Sequence, residues 1–197
     1  MLKIVAFYPA LLSRIKFCSK INSVKTIVVI HNIRSILNVG SILRTCEGFG
    51  VSKVIYSGYT PTPNSPVSLP HVKEKINAAI HKTALGAEEL VESEYTDDIK
   101  KTLQELKSQH YKILGLENNL KDKRLHKLNE PFLNTELGKA SILTNKNVLI
   151  LGEEVAGIPK ELYDQIDVFL EIPMVGKKES FNVSVATGIA LYKLLCE

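Results

Sequence analysis

Apolar positions along the chain fall into short unbroken runs separated by stretches with helical spacing. The runs TIVVI (26–30), VIY (54–56), YKILGL (111–116), NVLIL (147–151) and VFLEI (168–172) are rich in β-branched residues and have strand length. They do not alternate with polar residues, so each strand is expected to be buried on both faces, as in a parallel sheet covered by helices. Between them, Ile42, Leu43, Cys46 and Phe49 follow Asn38 at helical spacing until Gly50 stops the pattern. Helical spacing resumes over 76–91, broken near Gly86, and again through Leu103 and Leu106, with Asp97 as a fitting N-cap. A short helix follows over 159–166 with Pro159 near its start, and a last helix spans 182–195. Strands alternating with helices predict an α/β fold, a mostly parallel sheet flanked by helices. Four prolines between Thr60 and Pro70 predict a loop, and residues 117–146, polar and carrying Pro131, receive no element. No repeat or composition break divides the chain, which reads as one domain over 26–197 preceded by a basic segment over 1–25.

The composition agrees with that picture: 197 residues, 45% apolar and 23% charged, fit one globular domain. No apolar run approaches the roughly 18 residues of a bilayer crossing, so no membrane partner is expected. Cys18, Cys46 and Cys196 form no close pair and the five histidines show no ligand spacing, so neither disulfide nor metal is expected and a reducing cytoplasm fits. The net charge of +4 conceals an asymmetry: residues 1–46 carry seven Lys and Arg and no acid, leaving −3 for the remainder. Such a block suits a phosphate-bearing partner, through release of condensed counterions, and equally suits a solvated surface.

In open α/β sheets ligands lie at the carboxyl ends of strands, so candidate chemistry is sought in the loops that follow them. The segments after 26–30, 147–151 and 168–172 each combine glycine with amide, hydroxyl or charged side chains. Glycine lets backbone approach a ligand closely, and each glycine taken singly is also compatible with a plain turn. A dinucleotide fingerprint is absent, since Gly48 and Gly50 lack a third glycine and end a helix; no phosphate-binding lysine loop occurs either.

Three blocks in order resemble the SpoU (TrmH) branch of the SPOUT RNA methyltransferases. NVGSILRTCEGFG (38–50) is similar to the family's N-x-G-x-x-x-R-x-x-x-x-F-G; GEEVAG (152–157) resembles G-x-E-x-x-G; IPMVGKKESFNVSVA (172–186) resembles I-P-M-x-G-x-x-x-S-L-N-V-S-V-A, with Phe181 where the family usually has Leu. The resemblance covers the chain from about Thr26 to Leu195 and implies a C-terminal deep trefoil knot. It further implies transfer of a methyl group from S-adenosylmethionine (SAM) to a ribose 2′-hydroxyl of tRNA or rRNA, without a metal. The alternative is a non-catalytic RNA-binding homolog of the same fold.

By position in these blocks, Leu116, Gly152, Glu154, Gly157, Ile172, Met174, Ser180 and Phe181 would hold the cofactor. Arg44, Asn38, Glu154, Ser180 and Asn182 would serve catalysis, and Arg34, Arg44, Lys177 and Lys178 would contact RNA. A guanidinium is a poor base, so Arg44 is read as clamping phosphate and stabilising a developing alkoxide. Asn38, Ser180 and Asn182 can also act as helix caps. The family further implies a homodimer through the last helix, whose Val183, Val185, Ile189, Leu191 and Leu194 exceed one core-facing stripe; a fully buried closing helix in a monomer would read the same way.

Overall fold

The computed structural model describes residues 24–63, 69–118, 120–121 and 124–196. The basic segment read over 1–25 lies outside the described residues except for its last two positions, and Cys18 lies outside them too. In chain order the elements are β1 (Lys25–His31), α1 (Ile36–Gly48), β2 (Lys53–Ser57), α2 (Pro70–Ala84), α3 (Ala87–Leu90), β3 (Ser93–Thr96), α4 (Ile99–Ser108), β4 (Lys112–Leu116), β5 (Leu125–Lys127), α5 (Glu136–Ile142), β6 (Lys146–Leu151), β7 (Val168–Glu171) and α6 (Val183–Leu195). Short 3-10 helices occupy Pro131–Asn134 and Lys160–Gln165.

All strand pairs are parallel, in the order β3-β2-β1-β6-β4-β7-β5. The chain first moves outward from β1 to β3 and then crosses to β4 on the other side. The two latest long strands insert themselves, β6 between β1 and β4 and β7 between β4 and β5. Four adjacent strands spaced about 4.8 Å apart therefore deliver their carboxyl ends to one edge where the strand order reverses.

The continuous apolar runs are explained by burial on both sides. Val28, Ile30, Tyr56, Leu114, Leu149, Leu151 and Leu170 pack in one core with α1, α2 and α6. Ile27, Val29, Ile55, Ile113, Val148, Ile150 and Phe169 pack in the other with α4 and the 3-10 helix at Lys160–Gln165. Successive residues of each central strand thus enter opposite cores. No helix among the described residues is long and apolar enough to cross a membrane.

Several local expectations are corrected. Helix α1 begins before Asn38: Ser35 is its N-cap, its Oγ accepting from the Asn38 amide at 3.3 Å, so Asn38 sits in the first turn and its side chain is released from capping. Asp98, one residue after the expected position, caps α4 by accepting from the Lys101 amide at 2.9 Å. Pro70 does not end the loop but opens α2 at the first helical position, where no backbone N–H is needed. The expected helix over 159–166 winds as 3-10, with Leu162 N bonded to Pro159 O and Ile166 N to Tyr163 O. Strand β3 was not expected, and the unassigned 117–146 stretch contains β5, a 3-10 helix and α5.

Candidate active site

The segment after β1 is held from below by the one after β2. His31 Nδ1 lies 2.8 Å from Ser57 Oγ, Ile33 N donates to Thr60 Oγ1 at 3.2 Å, and Thr60 Oγ1 donates to the Ile30 carbonyl at 3.0 Å. His31 is the buried last residue of β1, and loss of solvent lowers its pKa while Glu161 partly opposes the shift. With its base fixed, this segment presents the Arg34 and Ser35 amides and the Asn38 side chain to Glu154. Glu154 Oε2 accepts from Arg34 N, and Oε1 accepts from Ser35 N and Asn38 Nδ2, each at 3.3 Å. The Arg34 and Ser35 amides, just before and at the N-cap of α1, lie at the positive end of the helix dipole, which favours a carboxylate there. Asn182 Nδ2 then donates to Asn38 Oδ1 at 3.1 Å while Asn182 Oδ1 caps α6, accepting from Ser184 N at 2.9 Å. Glu154, Asn38 and Asn182, one from each block, form a single connected chain. Arg34 adds an ion pair to Glu153 at 3.2 Å and stacks over the Tyr59 ring at 5.1 Å.

The segment after β6 closes on itself. Glu153 and Gly157 exchange backbone hydrogen bonds of 3.0 Å in both directions, which folds 152–157 into a tight loop. A Cβ at Gly152 would overlap the Gly157 carbonyl and the Ile158 amide; Gly157, at φ +71°, is in the left-handed region and would drive a Cβ into the Glu117 carboxylate. Only glycine satisfies both positions.

Behind this loop lies a cavity of about 440 Å³ bounded by the ends of β4 and β6 and by the segment entering α6. Leu116, Gly152, Glu154, Gly157, Ile172, Ser180, Phe181 and Asn182 all line it. Met174 lines a neighbouring cavity of about 340 Å³ together with Lys178. Lys177 and Lys178 are exposed, as is Arg34. Arg44 is exposed on α1 and does not line the cavity; it follows Asn38 by six residues, roughly 9 Å along the helix axis.

Glu117 and Asn118 were missed by the sequence reading. Both line the cavity directly after β4. The signal was an acid and an amide immediately after an apolar strand, the same signal that drew attention to the other three loops. Among the described residues the cavity lining includes four carboxylates, Glu117, Glu153, Glu154 and Glu179, and no lysine or arginine. Glu117 and Glu154 already accept from backbone amides and Glu153 pairs with Arg34, so the acids also hold the surrounding loops together.

The SpoU rRNA Methylase family model matches residues 25–192. The 23S rRNA (guanosine-2′-O-)-methyltransferase RlmB of Pseudomonas aeruginosa is 29% identical over 158 residues, covering 80% of this chain and 53% of that protein. The tRNA (guanosine(18)-2′-O)-methyltransferase of Aquifex aeolicus is 30% identical over 173 residues, covering 85% of this chain and 67% of the relative. This chain thus spans little more than half of the Pseudomonas protein. Among solved structures, an AdoMet-bound rRNA methyltransferase from Sinorhizobium meliloti superposes with TM-score 0.67 at 20% identity, over 86% of this chain and 55% of that one. The A. aeolicus TrmH/SpoU tRNA modifying enzyme superposes with TM-score 0.63 at 24% identity, over 94% and 83%. These two likenesses establish a shared fold. With the three blocks brought together at one sheet edge and the family model spanning β1 to α6, the chain belongs to the SpoU rRNA methylase family.

Proposed function

We propose that this protein transfers a methyl group from SAM to a ribose 2′-hydroxyl of tRNA or rRNA. The observation that carries the reading is the convergence of the three blocks, linked through Glu154, Asn38 and Asn182, beside a carboxylate-lined cavity walled by glycine backbone. The cavity suits the cofactor on two counts. Gly152 and Gly157 leave space that any Cβ would fill, and the acidic lining sets up a negative field that suits a cationic ligand, while the Glu117 and Glu154 carboxylates themselves are engaged in holding the loops. Leu116, Gly152, Glu154, Gly157, Ile172, Ser180 and Phe181 would hold it, with Met174 at the adjoining cavity. SAM supplies an activated methyl group and a neutral sulfide as leaving group.

The protein's own contribution is orientation and charge. Ser180 and Asn182, which line the cavity, would offer neutral donors and acceptors to a ribose, and Asn38 would serve by holding Asn182 and Glu154 in place. Arg44, constitutively cationic, would clamp the RNA phosphate beside the target and stabilise the alkoxide as the hydroxyl loses its proton to that phosphate or to water. Arg34, Lys177 and Lys178 add sequence-independent phosphate contacts.

The reading includes a homodimer with shared sites. Val185 and Tyr192, seven residues apart on α6, are about half exposed, beside an apolar groove of about 590 Å³ lined by Ile189, Val175 and Pro173. Arg44 stands off the cavity of its own chain, which supports service to a partner's cavity. The reading also retains a single domain over 26–197, the C-terminal trefoil knot and a cytoplasmic setting.

The test is transfer of labelled methyl from SAM into separated unmodified tRNA and rRNA, with Arg44→Ala beside the native chain. Label at a 2′-O position, reduced at least roughly 100-fold by the substitution, is expected. RNA and SAM binding without any transfer would favour the non-catalytic homolog.

A further inference from the structure

Glu117 and Asn118 join β4 to both walls of the cavity. Glu117 Oε2 accepts from the Ile158 amide at 2.7 Å, at the exit of the 152–157 loop, and Oε1 accepts from Asn118 N at 3.0 Å. The carboxylate lies against Gly157, so the left-handed turn there and the position of the acid are mutually dependent. The Asn118 side chain crosses to the opposite wall, donating from Nδ2 to the Glu179 carbonyl at 3.1 Å in the segment leading to Ser180 and Phe181. β4 itself is immobilised between β6 and β7, and the Glu117 amide donates to Leu170 O at 3.0 Å.

We propose that Glu117 is a positioning residue for the cofactor: its carboxylate anchors the 152–158 loop to the sheet so that the backbone of that loop is presented in binding geometry, while Asn118 fixes the facing wall. This rests on the SAM reading of the cavity. The connection is distinct from the Glu154, Asn38 and Asn182 chain, which ties the loops together on the side of α1. A carboxylate suits the task because one group accepts two amides at once with charge-assisted bonds. Glutamine keeps one acceptor oxygen and must turn its NH₂ toward the other amide; alanine keeps none.

The experiment follows two readouts in the native full chain, Glu117→Ala, Glu117→Gln and Asn118→Ala. The first, free of any ligand, is hydrogen exchange at the Ile158 amide. The second is affinity for S-adenosylhomocysteine, with the KM for SAM and kcat once an RNA substrate is in hand. Glu117→Ala is expected to abolish Ile158 protection and weaken cofactor affinity about tenfold or more, with kcat at saturating SAM within about threefold of native. Glu117→Gln should lie between alanine and native in both readouts. Asn118→Ala should leave Ile158 protected and weaken affinity by a smaller factor, about threefold. Unchanged Ile158 protection in Glu117→Ala, or lost protection with unchanged affinity, overturns the proposal. A kcat that falls as far as affinity, without rescue by glutamine, overturns it too. Failure of the native chain to bind the cofactor at all defeats the SAM reading instead, and is recognised separately because the exchange arm still reports whether Glu117 anchors the loop.

Discussion

At the scale of single residues, the site uses side chains whose partners lie far away in sequence. Asn38 illustrates the limit of reading locally. Its amide type at a helix start suggests capping, but Ser35 takes that role, and the Asn38 side chain turns to Glu154 and Asn182, 116 and 144 residues later. Local propensity ranks Ser and Asn nearly equally as caps, so only the long-range partner decides between them. The positions Gly152, Glu154 and Gly157 were marked by the resemblance, and for the two glycines the structure supplies a local reason, since a Cβ at either would collide with its neighbours. Glu117 was legible in type and overlooked in role. His31 yields a prediction in solution. Its pKa is lowered in the fold, so the unfolded chain binds the proton more readily; stability is fully present above the unfolded value near 6.5 and is lost as pH falls through the folded value. The urea midpoint of the native chain should therefore decline below about pH 6.5, and His31→Asn should flatten that decline. An equally steep decline in the variant would assign the pH dependence to other groups.

At the scale of elements, the central strands were read correctly because both faces are buried, which leaves no polar alternation to confuse the pattern. β3 escaped for the opposite reason. Its residues SEYT are mostly exposed, and the strand exists because its backbone pairs along the sheet edge with β2, a contact invisible in its own side chains. β5, three residues long and paired only with β7, is similarly defined by its neighbour. The first block also contains an element-level device. Gly40, in the middle of α1, faces α2 so closely that a Cβ would collide with Thr83 Oγ1 and the Ile80 carbonyl. The neighbouring Thr83 hydroxyl donates across to Leu37 O at 3.0 Å. Gly40→Ala gains helix propensity of under about 1 kcal/mol and meets an overpacked interface costing about 1–3 kcal/mol. Urea denaturation should show a net loss of stability; a more stable variant would mean that α1 and α2 separate without cost.

At the scale of the whole molecule, topology makes the site. Strands β6 and β7 enter between strands laid down earlier, and this brings the loops after β1, β4, β6 and β7 to a common edge. Periodicity identified those strands but carries no information about their order, so the assembly of the cavity followed only from the resemblance and the structure. The same scale governs the role of Arg44, which lies outside the cavity of its own chain. If sites are shared in a homodimer, Arg44→Ala mixed with a chain whose cofactor loop is blocked by Gly157→Val should regain activity that neither has alone. Random exchange makes half the dimers mixed, each with one intact site, so recovery should approach about a quarter of native. No recovery, despite mixed dimers being present, would place Arg44 in service of its own chain.

The central claim is that the carboxyl-edge cavity is the cofactor site, and titration of isotopically labelled protein with S-adenosylhomocysteine tests it directly through backbone amide shifts. The account predicts saturable shifts at Gly152, Gly157, Ile158 and Phe181. Lys53, Thr102 and Gln109, which line the cavity near the amino ends of the strands, should remain still. Shifts confined to that opposite end, or no saturable shift at all, would contradict it.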